Sequence, residues 1–306
     1  MITRHEYRDG VWVDIEQPTE EEIRNAAHEF GISERIETEL LSATPTPITA
    51  GEAGAALLIL HFPAHGSDDG DISDQEIDFI VGKHFILTVR YEVVAPLHHL
   101  KKLLEAQSLV SGRMPFTTDV LLEILFAHVY ASVRDHSNHI AQRLAHVEHE
   151  MFNGRERDTV RVISGISREF LHIESVLANQ EEPFERFLDT LSRHNFFGES
   201  FKERTARMLA ERTQVLRLIT THRAVATELR ETNASLLEVR QNEIVKTLTV
   251  INIVVLPLEL IAFIFGMHAA GTPLLGNPNA FWIIMAIMLG SVFITILFFA
   301  RKRWLF

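Results

Sequence analysis

The chain has 306 residues, a formal net charge of −12 and no cysteine. It can form no disulfide or thiolate metal site, and its acidic balance argues against nucleic acid as a partner, because a phosphate-binding surface needs a basic excess. Its hydrophobic content of 46% is concentrated towards the C-terminus, which fits a soluble domain followed by a membrane pair.

Residues 1–95 read as a small α/β domain. The first ten residues are polar and charged and have no signal-sequence character, so the N-terminus is expected to stay in the cytoplasm. Val11-Trp12-Val13-Asp14-Ile15 has strand character. Thr19 stands as the N-cap of a helix with acids in its first turn and Gly31 at its end. A second helix is expected over 33–41, and Thr44-Pro45-Thr46-Pro47 is a connector, since it cannot be helical. Strands are expected over 55–62, 75–81 and 84–90, with Gly82-Lys83 as the turn between the last two. Asp68, Asp69, Asp71 and Asp74 sit close together but do not match a calcium-loop spacing, and read as an exposed loop.

From residue 96 to 246 the pattern is helical, with helices over 96–107, 117–152, 158–181 (stopped by Pro183) and 185–194. The last helix starts near Glu199 and meets no Pro or Gly until Pro257. If continuous, it would be roughly 100 Å long at about 1.5 Å per residue, a length that makes sense as a stalk entering a membrane. The chain has 16 histidines. His136 with His139, and His146 with His149, form i,i+3 pairs on one helix, each able to offer two ligands to a regulatory metal that another helix or subunit would complete. The alternative is a solvated polar face. There is no glycine-rich phosphate loop, nucleophile elbow or His-Glu-x-x-His, so no enzyme reading is supported; Gly51-Glu52-Ala53-Gly54 is too short and lacks a lysine.

Residues 247–267 and 281–300 are two apolar runs, each long enough to cross a bilayer core of roughly 30 Å. Between them, 268–280 is an uncharged loop expected on the periplasmic side. Arg301, Lys302 and Arg303 in the tail 301–306 place the C-terminus in the cytoplasm by the positive-inside rule, which agrees with two spans. Asn242, Val245, Thr249, Asn252, Leu256, Glu259, Phe263 and Gly266 recur by alternating threes and fours, so they share one stripe. A carboxylate at mid-membrane costs a few kcal/mol or more unless it faces water, a partner or a cation. The stripe therefore points to a pore in which Glu259 and Asn252 meet cations. A bundle joined by asparagine hydrogen bonds would use the same stripe.

Asn242-Glu243-Ile244-Val245-Lys246-Thr247-Leu248-Thr249, then Leu256-Pro257-Leu258, then Phe265-Gly266-Met267, resembles the pore helix of the CorA family of divalent metal cation transporters (CorA/ZntB-like). The match runs ungapped to the position of that family's Gly-Met-Asn signature. The resemblance implies an α+β chain: an N-terminal α/β cytoplasmic domain, a long stalk helix and two C-terminal transmembrane helices, assembled as a funnel-shaped homopentamer in the bacterial inner membrane. The first membrane helix would line the pore, with Gly266, Met267 and His268 at its mouth. It further implies that a metal site in the soluble domain could move the pore through the stalk. In a pentamer the charge would sum to roughly −60, a field that concentrates cations.

The sequence departs from the family in two places. The signature asparagine is His268, so Gly-Met-Asn becomes Gly-Met-His, and the acidic loop that follows in the family reads Thr272-Pro273-Leu274-Leu275. Neutral imidazole suits zinc, cobalt or nickel, whereas magnesium prefers oxygen and keeps its waters. A pH gate at His268 is a second use of the same ring, and helix capping a third. The expectation is transport of divalent cations as substrate, Zn or Mg, with zinc favoured over magnesium, cobalt or nickel and with no cofactor. Membrane lipid and further copies of the chain are the expected partners. The alternative is a non-conducting membrane-anchored scaffold or metal sensor derived from the family. An anion pore through protonated His268 is opposed by Glu259.

Overall fold

The computed structural model describes residues 1–52, 54–63, 74–111, 115–267 and 278–301. The chain divides into two compact units, Met1–Glu231 and Thr232–Phe306.

The first unit is built on a six-stranded sheet of order β1-β2-β6-β5-β4-β3. The strands are β1 (Ile2–Tyr7), β2 (Gly10–Glu16), β3 (Ile48–Gly51), β4 (Ala55–Pro63), β5 (Asp74–Gly82) and β6 (Phe85–Arg90). The β2–β6 pair is parallel and the other pairs are antiparallel. Alternation divides each strand between two faces. One face carries Val13, Ile15, Leu57, Ile59, Ile80, Leu87 and Val89, which pack with Ile23, Ala26 and Ala27 of α1 (Glu20–Phe30) and Ile36 of α2 (Glu34–Glu39). The other face carries Phe62 and Phe79. It meets Tyr130 and Phe126 of α4 (Thr118–Phe152) at ring distances of 5.9 and 4.8 Å.

Local chemistry sets the element ends. Thr19 and Glu22 form a reciprocal capping box at the start of α1, with bonds of 3.2 and 3.0 Å. That helix ends at Gly31 in the left-handed region, φ 62°, where a side chain would be strained. The remaining helices are α3 (Ala95–Ser111), α5 (Glu156–Asn179), α6 (Glu181–Arg193), α7 (Phe201–Gly266) and α8 (Ala280–Arg301). The long helix predicted from residue 199 is present as α7, which runs through Pro257 and contributes to both units.

Two strands are added to the expected elements and two local expectations are corrected. First, the polar N-terminus is strand β1. Its inward residues include His5 and Tyr7, both buried, so an apolar alternation is missing although the pleat is there. Second, a short edge strand, β3, follows Pro47. Third, the β5–β6 turn is Lys83-His84, one residue later than expected, because Gly82 still belongs to β5. Fourth, Pro183 does not stop the earlier helix at 181. That helix ends at Asn179, the residue whose carbonyl a helical Pro183 would strike, and Pro183 sits in the first turn of α6, where a missing N–H is tolerated.

Candidate functional site

The second unit contains the C-terminal part of α7, and α8. Both helices are long and apolar enough to cross a membrane, with mean hydropathy of 2.4 and 2.7 over their most apolar stretches. Almost none of that surface is covered within the chain: 0% and 6% of those stretches is buried.

The little that is covered has a direction. On α7 the half-buried positions are Val250, Val254, Pro257, Leu258, Ile261 and Phe265. On α8 they are Ala280, Ile283, Ile284, Met288, Ser291, Val292 and Thr295, with Phe299 buried. At about 100° per residue, the half-buried side of α7 lies opposite the stripe Asn242, Val245, Thr249, Asn252, Leu256, Glu259, Phe263 and Gly266. Every member of that stripe is exposed. The open side of α7 is thus the side that carries its amide, hydroxyl and carboxylate groups.

The chemistry along the stripe is that of acceptors separated by apolar side chains. Thr249 Oγ1 donates to the carbonyl of Val245 at 2.8 Å, so its one hydrogen is used on its own helix and its remaining lone pair is left to accept. Asn252 offers an amide oxygen, and Glu259 a carboxylate with no ion pair among the described residues. Leu256 lies between Asn252 and Glu259, and Phe263, 70% exposed, lies beyond. Gly266 closes α7, and the Met267 N–H still donates to Phe263 O at 3.1 Å. His268, the loop segment Thr272-Pro273-Leu274-Leu275 and the tail residues Lys302 and Arg303 lie outside the described residues.

The histidine pairs of α4 are arranged differently. His139, His146 and His149 are exposed and His136 is half-buried. The nearest carboxylate to His146 belongs to Glu150, 4.0 Å away and one turn on along the same helix. No group of three or more His, Asp or Glu side chains suited to a metal comes together among the described residues. Asp74 is engaged by His172 at 2.7 Å; Asp68, Asp69 and Asp71 lie outside the described residues.

Two buried polar clusters in the sheet were not singled out from sequence. On the α4 side, Arg90 bonds Asp14 through Nε and Nη2, at 3.1 and 2.8 Å, and Glu16 at 2.6 Å. Thr88 links that pair to the indole N–H of Trp12. On the α1 side, Glu76 and Asp78 of β5 stand beside His61 of β4 and Tyr91. The signal was available: Gln75-Glu76-Ile77-Asp78 interrupts an apolar strand with two acids that share one face.

A family model described as CorA-like Mg2+ transporter protein matches residues 8–303. The cobalt/magnesium transport protein CorA of Methanocaldococcus jannaschii is 22% identical over 312 residues, which covers 99% of this chain and 94% of that protein. The magnesium transport protein CorA of Campylobacter jejuni is 18% identical over 306 residues, covering 96% and 91%. The fold is similar to the complete structure of the CorA magnesium transporter from Methanocaldococcus jannaschii, with a TM-score of 0.83 at 20% identity over 99% of this chain and 98% of that one.

Proposed function

The chain belongs to the CorA-like Mg2+ transporter family, and from that premise we propose that it carries divalent metal cations across the bacterial inner membrane through a central pore of a homopentamer. The observation that carries this reading is the placement of Thr249, Asn252 and Glu259 on the exposed side of α7, opposite its half-buried positions. A helix packed into a ring of copies would turn that side to a shared axis. There, rings of Asn252 and Glu259 would attract and coordinate cations, while Leu256 and Phe263 would form apolar constrictions able to gate by dewetting. Val245 and Asn242 would continue the path towards the cytoplasm, where both termini would lie, and Gly266, Met267 and His268 would be its outer mouth. Residues 1–95 and 96–246 would make the cytoplasmic part, 247–267 and 281–300 the two spans, 268–280 the periplasmic loop and 301–306 the tail.

Zinc is the favoured substrate within this reading. An imidazole in place of the signature amide is a ligand for borderline metals and a poor one for hydrated magnesium. His136, His139, His146 and His149 are proposed at most as surface ligands completed by another subunit.

Metal uptake into proteoliposomes of the purified chain tests both parts. Zinc, cobalt, nickel and magnesium are each offered to wild type, Glu259→Gln and His268→Asn. Loss of flux in the Glu259 variant, with a gain of magnesium in the His268 variant, supports the pore and assigns selectivity to its mouth. No cation flux from intact, oligomeric protein would leave the membrane-anchored scaffold as the function.

A further inference from the structure

Three titratable side chains, with a fourth behind them, close over a single stretch of backbone in the first unit. Glu76 Oε2 accepts the amide hydrogen of Thr44 at 2.7 Å, and His61 Nε2 lies 2.7 Å from the Thr44 carbonyl. The Thr44 hydroxyl reaches Glu76 Oε1 at 3.5 Å. Four residues earlier, the carbonyl of Leu40 accepts from the Tyr91 hydroxyl at 2.9 Å, and that hydroxyl also lies 3.4 Å from Asp78 Oδ2. The segment between α2 and β3 is therefore held at its start and at its middle by groups that gain or lose protons. It contains Pro45 and Pro47, so it has few amides of its own with which to pair.

Burial makes those protons consequential. Asp78 is fully buried, Glu76 is buried and His61 is half-buried. Nδ1 of His61 and Oδ1 of Asp78 have no hydrogen-bond partner. Glu76 and Asp78 share one face of β5, and His61 is the register partner of Glu76 across β4, 3.3 Å away at its closest. Two neighbouring carboxyl groups in such a place do not both ionise readily. The surroundings offer little else to balance them. Ile23, Ala26 and Ala27 of α1, Ile36 of α2 and its C-cap Leu40 face this side of the sheet, and the remaining β5 acid, Asp74, bonds His172 of α5 and adds its charge to those that raise His61.

We infer that His61, Glu76, Asp78 and Tyr91 form a proton-operated latch, which holds the 40–47 segment on the sheet at mildly acidic pH and releases it as pH rises. The two titrations act in the same direction. The Glu76 carboxylate, 3.3 Å from the ring, raises His61 above the ordinary imidazole value, so the stability it contributes is complete below that value and is lost as pH rises through the raised one. Burial first, and then the charge of Glu76, push Asp78 well above the ordinary carboxylate range. A raised acid likewise favours the folded cluster while protonated and disfavours it once ionised. Rising pH thus removes the His61–Glu76 attraction and adds Asp78–Glu76 repulsion directly under Thr44.

Hydrogen exchange of the full chain in lipid nanodiscs tests this. After correction for intrinsic exchange, protection of peptides covering residues 40–48 should fall roughly tenfold for each pH unit by which His61 or Asp78 is shifted, while peptides covering β6 hold. Asp78→Asn and His61→Gln should flatten that profile. A flat wild-type profile overturns the latch, as does an unchanged slope in folded variants. If both variants fail to fold, Tyr91→Phe decides. The Tyr91 hydroxyl both anchors Leu40 and opposes the rise of Asp78, so its loss should lower protection at every pH and also move the release to higher pH, and an unmoved midpoint overturns the proposal.

Discussion

Asn252 and Glu259 stand two helical turns apart on the open line of α7, with Leu256 between them and Val254 and Ile261 on the opposite, half-buried side. This relationship makes charge position, as well as charge itself, the expected determinant of flux. Glu259→Leu should reduce cation uptake by about tenfold or more, since roughly 1.4 kcal/mol on a barrier is a factor of ten in rate. Leu256→Glu, on the same line, should restore part of it in the Glu259→Leu background, whereas Ile261→Glu should not. Equal rescue by both, read as metal uptake into proteoliposomes, would mean that the line does not face the path.

The Asp14–Arg90 pair predicts a stability effect that runs through two parallel strands. Arg90 is fully buried and Asp14 is 1% exposed, so removing one partner strands a charge in the sheet. Arg90→Met should cost about 3–5 kcal/mol, and Asp14→Leu together with Arg90→Met should recover much of that loss. Trp12 lies in the same network through Thr88, so its fluorescence reports the unfolding once Trp282 and Trp304 are replaced by Phe. A double variant as weak as the single one would place the cost in lost packing instead.

Much of this architecture was legible in the sequence because its signals are local. Thr19 and Glu22 announce a helix start within four residues, and the threes and fours from Asn242 to Gly266 define a stripe without reference to any other segment. β1 was missed because its inward residues include His5 and Tyr7, for which an apolar pattern has no place. The latch was missed for a different reason. Glu76 and Asp78 are visible as odd acids in a strand, but Thr44, His61 and Tyr91 reach them only through the fold. The covered side of α7 is similarly a fact of packing: periodicity finds the stripe, but not which side a neighbouring helix leaves open.

Two glycines should respond in opposite directions to the same substitution. A Cβ on Gly10 would lie 2.0 Å from the backbone oxygen of His84, which is also the acceptor for the Val11 amide. Gly10→Ala must displace the β5–β6 turn and should cost about 1–3 kcal/mol or more. Gly165 lies inside α5 with nothing within 4 Å of its added carbon. Gly165→Ala should therefore stabilise by about 0.5–1 kcal/mol through helix propensity alone. Thermal unfolding of the two variants beside wild type checks both signs.

The start of α7 is docked by charge, and that docking should weaken in acid. Glu123 of α4 accepts from Arg207 at 2.6 and 3.0 Å and from Arg204 at 2.6 Å, while Arg204 also reaches Asp119 at 2.7 Å. The Arg207 hydrogen bonds, opposed by partial burial and aided by Arg204, hold Glu123 below the usual carboxylate value. For an acid depressed in the folded state, the added stability is complete above its ordinary value and disappears as pH falls through the depressed one. Acidification should thus loosen the contact between α4 and the first turns of α7 before the sheet, whose His61–Glu76 contact is strengthened by protons, begins to open. Glu123→Gln keeps the shape and removes the charge, so it should make exchange at residues 201–208 faster at neutral pH and nearly independent of pH through the acid range. Wild-type protection there that is equally indifferent to acid would mean that the arginines add little to what packing by Phe201 and Met208, both buried, already provides.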